Sequence, residues 1–113
     1  MSHITTHVLD LSLGRPAANV AVILEVQSPG GNWAEAARGA TDTDGRLRDW
    51  VEAKALPAGT YRLTFDTRAY FSARKIASLY PQVVIVFEVR DAQEHYHIPL
   101  LLSPFGYSTY RGS

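Results

Sequence analysis

The sequence predicts an all-β fold, a two-sheet antiparallel β-sandwich of about eight strands with one short helix. Three observations predict it. Apolar and β-branched residues alternate with period two along most of the 113 residues, turn residues break these runs at short intervals, and a single segment shows helical periodicity.

The first strand runs from Ile4 to Leu11 and is closed by Gly14-Arg15-Pro16. A second, Val20 to Val26, ends at Ser28-Pro29-Gly30-Gly31-Asn32. A third is read from Trp33 to Thr41, although its alanines favour helix. Thr43-Asp44-Gly45-Arg46 is a turn in which Gly45 supplies a positive φ, and a short edge strand follows from Leu47 to Val51. Leu56-Pro57-Ala58-Gly59 turns the chain into a clean alternation from Thr60 to Asp66. The helix is expected over Ser72 to Leu79, with Ser72 as N-cap, Ile76, Leu79 and Tyr80 as a partial apolar stripe, and Pro81 as terminator. Two long strands, Val83 to Val89 and Tyr96 to Leu102, flank a loop over Arg90 to Glu94. Pro104-Phe105-Gly106 precedes a last strand from Tyr107 to Arg111.

Val83-Val84-Ile85-Val86-Phe87 is apolar on both faces, and so is Leu100-Leu101-Leu102. An antiparallel sheet facing water should alternate, so a second subunit is expected to cover these faces. At this length one domain, residues 1–113, accounts for the chain. Lys plus Arg equals Asp plus Glu at 11 each, which leaves no basic field for a nucleic-acid backbone. There is no cysteine, so disulfides, thiolate metal sites and cysteine nucleophiles fall away together. Apolar runs stay far short of the roughly 20 residues that span a bilayer, and Met1 to His7 carries neither the basic nor the apolar region of a signal peptide. No membrane association is expected, and the cytoplasm is the default compartment.

Histidines stand at positions 3, 7, 95 and 97. By period two, His7 shares a strand face with Thr5 and Leu9, while His95 and His97 share a face opposite Tyr96, Ile98 and Leu100. An imidazole set among apolar strand residues is costly to desolvate and calls for a partner or a task. One task is metal binding, since two imidazoles on one face can share a cation. Arg46, just after the Asp44-Gly45 turn, is either a solvated charge or a planar clamp for an anion. The ending Ser108-Thr109-Tyr110-Arg111-Gly112-Ser113 is polar and short, so fraying is the bland reading of it.

Four segments together resemble the transthyretin-like family. They are Thr5-Thr6-His7-Val8-Leu9-Asp10 with Gly14-Arg15-Pro16-Ala17, the Thr43-Asp44-Gly45-Arg46 turn, Tyr80-Pro81 before the long apolar strand, and His95-Tyr96-His97-Ile98-Pro99-Leu100-Leu101-Leu102-Ser103-Pro104 running to Tyr107-Ser108-Thr109-Tyr110-Arg111-Gly112-Ser113. The closing Tyr-Arg-Gly-Ser is similar to the family's hydrolases rather than to its hormone carrier, and Phe105 stands where tyrosine is commoner. The resemblance implies two four-stranded sheets and a homotetramer with sites at the dimer–dimer interface. It also implies hydrolysis of 5-hydroxyisourate to 2-oxo-4-hydroxy-4-carboxy-5-ureidoimidazoline, without cofactor or metal. Carried over residue by residue, it implies His7, Arg46, His97 and Ser113 as catalytic residues, with Arg46, Tyr110, Arg111 and Ser113 binding substrate. His95 has no principal catalytic part in that pattern, which weakens the metal reading. The rival readings are a small-aromatic-ligand carrier without catalysis, a metal-binding sandwich, and an interaction domain with no chemistry.

Overall fold

A computed structural model describes residues 3–51 and 56–113 of the chain, and in it the alternating runs assemble into two sheets. In chain order the elements are β1 (Ile4–Asp10), β2 (Arg15–Pro16), β3 (Ala21–Gln27), β4 (Trp33–Ala40), β5 (Arg46–Leu47), β6 (Gly59–Phe65), α1 (Thr67–Ala73), β7 (Val83–Val89), β8 (Tyr96–Ser103) and β9 (Gly106–Thr109). One sheet has the order β2-β1-β8-β9, with β5 also pairing with β1. The other has the order β4-β3-β6-β7. The expected all-β sandwich with one short helix is what forms.

Three details differ from the sequence reading. The pairing of β1 with β8 is parallel, whereas every other pairing among these strands is antiparallel. The edge strand expected from Leu47 to Val51 is reduced to Arg46–Leu47, because the turn before it delivers Arg46 directly onto β1. The helix begins five residues earlier than Ser72. Asp66 caps it by accepting the Ala69 N–H at 3.1 Å, and Thr67, Tyr70 and Phe71 turn their side chains into the interior. Lys75, at φ +58°, ends it in the left-handed region. Burial of Tyr70 and Phe71 outweighs the weaker stripe further on, where Leu79 is left exposed.

The core lies between the sheets. Ile4 and Val8 from β1 and Ile98, Leu100 and Leu102 from β8 meet Val22 and Leu24 from β3, Leu63 and Phe65 from β6, and Val83 from β7, all buried. Each such side chain contributes roughly 1.5–3 kcal/mol on leaving water. On the other face of β1, His7 and Leu9 stay half-buried. Val84 and Val86 of β7 remain exposed on the subunit, at 39% and 57%. The double-sided apolar character of this strand is therefore not used up within one chain.

One buried carboxylate ties the end of β1 to the helix. Asp10 accepts from the Ser12 N–H and hydroxyl, from the Leu13 N–H, and from the Tyr70 hydroxyl at 2.6 Å. Burial alone would raise the Asp10 pKa, but these hydrogen bonds outweigh it and hold the carboxyl below its ordinary value. Tyr70 moves the opposite way: burial first, then the bond to Asp10, push its phenol up to about 12. A depressed carboxyl stabilises the fold above its unfolded pKa, and that contribution fades as pH falls through the folded value. Asp10→Ala leaves the Tyr70 hydroxyl unpartnered and should cost about 1–3 kcal/mol in urea unfolding at pH 7. The gap between variant and wild type should narrow steadily below pH 4.

Candidate active site

The site is built by register. In the parallel ladder Thr5 stands opposite His97 and His7 opposite Pro99, and in the antiparallel ladder His7 stands opposite Arg46. With strands about 4.8 Å apart and same-face neighbours about 6.6 Å along each strand, His7 and His97 are diagonal neighbours at about 8 Å between Cα atoms. The outer face of the sheet therefore carries two imidazoles and one guanidinium side by side.

Arg46 is placed by the turn ahead of it. The Asp42 carboxylate accepts the N–H groups of Asp44 at 2.8 Å and Arg46 at 2.9 Å, and the Gly45 N–H returns to the Asp42 carbonyl at 2.9 Å. These bonds, that from Arg46 foremost, hold Asp42 below the usual carboxylate range. Gly45 sits at φ +75°, and a Cβ there would collide with the Val8 carbonyl oxygen. Only glycine lets its own carbonyl accept the Val8 N–H at 2.7 Å and seat Arg46 beside His7.

His7 donates from Nε2 to the Asp44 carbonyl at 2.9 Å. Because a carbonyl only accepts, the neutral ring carries its proton on Nε2 and leaves Nδ1 with a lone pair. On the neighbouring strand, Thr5 Oγ1 lies 2.8 Å from His97 Nδ1 and 2.8 Å from His95 Nε2. The two rings are 6.3 Å apart. Burial lowers the His7 pKa, and the charge on Arg46 lowers it further; the Asp44 carbonyl and the carboxylates of Asp42 and Asp44 pull back without cancelling this. For His97 every influence acts downward: burial first, then Arg46, His95 and His7. Both imidazoles are consequently neutral, proton-accepting groups at neutral pH.

The tail is docked. The Gly112 N–H donates to the His97 carbonyl at 2.7 Å in an isolated bridge, and a Cβ on Gly112 would come within 2.5 Å of His97 Cδ2. Arg111 bonds to the Glu94 carboxylate at 3.0 Å and the His95 carbonyl at 3.1 Å, and its guanidinium lies 4.3 Å over the Tyr96 ring. Tyr96 points to the opposite side of β8 from His97, so Arg111 is not brought to the histidine cluster. There it helps line a separate cleft of about 330 Å³ with Phe87, Glu88, Arg90 and Glu94. Tyr110 and Ser113 are exposed on the subunit, Ser113 immediately beyond the residue that packs on His97.

Of the six expected site residues, the structure thus gathers His7, Arg46 and His97, sets Ser113 at their margin, leaves Tyr110 on the surface and turns Arg111 away. Sequence reasoning missed Thr5, the Asp44 carbonyl and the contact from Gly112. Thr5 shares a face with His7, which was visible, but its partners lie 90 and 92 residues away. Among the described residues no group of three or more His, Asp or Glu converges as a metal site requires, and Thr5 engages one nitrogen on each of His95 and His97. If Arg46 depresses both histidines, Arg46→Met should raise the midpoints of both His7 and His97 in an NMR titration. Unchanged midpoints would show that the guanidinium is too well solvated to act on them.

The match to known proteins follows the same stretch of chain. The family model described as HIUase/Transthyretin family matches residues 4–112. A protein of Salmonella dublin named 5-hydroxyisourate hydrolase is 43% identical over 110 residues, which cover 97% of this chain and 80% of that one. A mouse protein of the same name is 41% identical, covering 99% of this chain and 96% of that one. Among solved structures, sea bream transthyretin in complex with thyroxine superimposes with a TM-score of 0.93 at 32% identity, covering 98% of this chain and 95% of that one. With sheet order, helix and nearly every residue accounted for, the chain belongs to the HIUase/transthyretin family.

Proposed function

We propose that this protein is a hydrolase that opens 5-hydroxyisourate to 2-oxo-4-hydroxy-4-carboxy-5-ureidoimidazoline in urate degradation. The observation that carries the reading is the meeting of His7, His97 and Arg46 on one sheet face, with both imidazoles pushed toward their neutral forms. Relatives named for this hydrolysis at 41–43% identity over nearly the whole chain support it. A carrier role is favoured by one fact, the fold shared with a thyroxine-bound transthyretin. A channel for an apolar ligand has little use for two half-buried histidines beside a guanidinium.

The reaction needs a deprotonated water, a counter-charge for the oxyanion, and a proton for the leaving nitrogen. Water adds its oxygen to the ring carbonyl as its proton passes to a histidine. The acyl–nitrogen bond then breaks, the nitrogen takes a proton, and a carboxylate remains. His97 is assigned as the base because, among the described residues, its Nε2 has no hydrogen bond, and its lowered pKa keeps the ring unprotonated and free to accept a proton at neutral pH. His7 orients the water through Nδ1. Arg46 pairs with the anionic edge of the substrate and the developing oxyanion. Ser113, next to the residue lying on His97, is the tail group positioned to hold water or substrate.

One subunit presents this face openly, flanked by half-buried Leu9 and Leu101. The proposal therefore includes a homotetramer whose dimer–dimer interface closes the pocket, which sedimentation equilibrium would test. The same reading puts the enzyme in the cytoplasm, which fractionation of the source cells would test.

Ultraviolet decay of freshly generated 5-hydroxyisourate should accelerate with the purified protein. His97→Ala and His7→Ala should each lower turnover by roughly 10²–10⁴-fold while circular dichroism stays unchanged. A variant that keeps near-full activity removes that histidine from the mechanism. Deleting residues 110–113 should abolish turnover and leave the assembly intact; an active truncated protein would exclude the tail.

A further inference from the structure

The mechanism above leaves Thr5 and His95 without a task, yet Thr5 is 7% exposed and makes 2.8 Å contacts to a nitrogen on each of two histidines. Its place opposite His97 is set by the ladder between β1 and β8, not by a mobile side chain reaching across. A hydroxyl carries one proton. It can donate to one of the two imidazole nitrogens and must accept from the other.

Two arrangements satisfy this rule. In the first, Thr5 donates to His97 Nδ1, so a neutral His97 carries its proton on Nε2 and offers no lone pair there. In the second, Thr5 donates to His95 Nε2 and accepts from His97 Nδ1–H, which leaves His97 Nε2 with a lone pair. His95 is exposed and can hold its own proton on Nδ1 facing water, so the second arrangement asks nothing costly of it. It also makes the two outer-face histidines complementary: His7 is bare on Nδ1 because the Asp44 carbonyl takes its Nε2–H, and His97 is bare on Nε2.

We propose that Thr5 is a positioning residue whose hydroxyl, directed onto His95 Nε2, holds His97 in the Nδ1–H tautomer with Nε2 open as the base. The assignment rests on the hydrolase reading for its purpose, but not for its geometry. In a neutral imidazole the nitrogen left basic is decided by the hydrogen bond the other nitrogen makes. Thr5 plays that part here, and His95 acts through Thr5 as the acceptor that aims its hydroxyl.

Thr5→Val and Thr5→Ser separate this from a packing role, since valine keeps the volume and serine keeps the hydroxyl. Ring ¹⁵N spectra of the wild type should show His97 protonated on Nδ1. In Thr5→Val that signature should be lost while the His7 ring is unchanged. The same variant should lose about tenfold or more in kcat, with KM within about threefold of wild type. Thr5→Ser should keep the Nδ1–H signature and recover most of kcat. A wild-type His97 protonated on Nε2, a Thr5→Val protein with an unaltered His97 signature, or an altered signature with unaltered kcat would each overturn the proposal. A wild type that never accelerates 5-hydroxyisourate decay overturns the hydrolase reading instead, and the ring spectra still test the hold of Thr5 on His97.

Discussion

The outer face of the five-stranded sheet depends on the parallel pairing of β1 with β8. These strands come from opposite ends of the chain and are joined from Ile4↔Tyr96 to Asp10↔Leu102. Bonds beyond the ladder reinforce the register: the Thr6 hydroxyl donates to the Ile98 carbonyl at 2.6 Å, and the Tyr96 N–H reaches the His3 carbonyl at 2.6 Å. A slip of one residue would exchange the faces, sending His7 into the core and Val8 to the surface. What forbids the slip is the core itself, because Ile4, Val8, Ile98 and Leu100 must all face inward. Apolar burial on one side of the sheet thus fixes the polar geometry on the other. Closing so long a loop adds little free energy beyond a shorter one, but such non-local contacts form slowly.

The electrostatics of the face are arranged against the charged imidazolium. A guanidinium beside two histidines would repel their protonated forms, and partial burial withholds the water that would screen it. The arrangement carries a stability consequence with a definite sign. Histidines whose folded pKa is depressed cost nothing above pH 6.5, where both states are neutral, and weaken the fold as pH drops and the unfolded chain takes up protons. A site kept ready to accept protons near neutrality is therefore also where acid first presses on the fold.

Much of this was legible in the residues. The strand pattern located β3, β4, β6, β7 and β8 to within a residue or two, because runs of this length bounded by turn residues mark a strand whether they alternate or are apolar on both faces. The helix was misplaced because its determinant is tertiary: the pocket under Tyr70 and Phe71 is invisible locally, and Ser72 resembles a cap as well as Asp66 does. The grouping of Thr5, His7 and Leu9 on one face followed from period two alone. That His97 and His95 would meet Thr5 did not, since the parallel register of strands ninety residues apart leaves no local trace. The placement of Arg111 was hidden for a similar reason: the tail motif names the residue, but its contacts with Glu94 and Tyr96 depend on how the last residues return to β8.

The docking of Arg111 bears on how one fold supports different functions. His7, Arg46 and His97 are each half-buried and contribute little to the core, which consists of the inward residues of both sheets. Exchanging them need not disturb the packing that gives a TM-score of 0.93 to a transthyretin at 32% identity. The tail is more constrained. Gly112 can lie against the His97 ring only without a Cβ, and it is brought there by Arg111 gripping the far side of β8. The histidines can therefore change singly at small structural expense, while the segment that packs on His97 is a coupled unit of latch, glycine and terminal residue. Gain or loss of function in this architecture should accordingly be marked more clearly by the closing residues than by any one position on the strands.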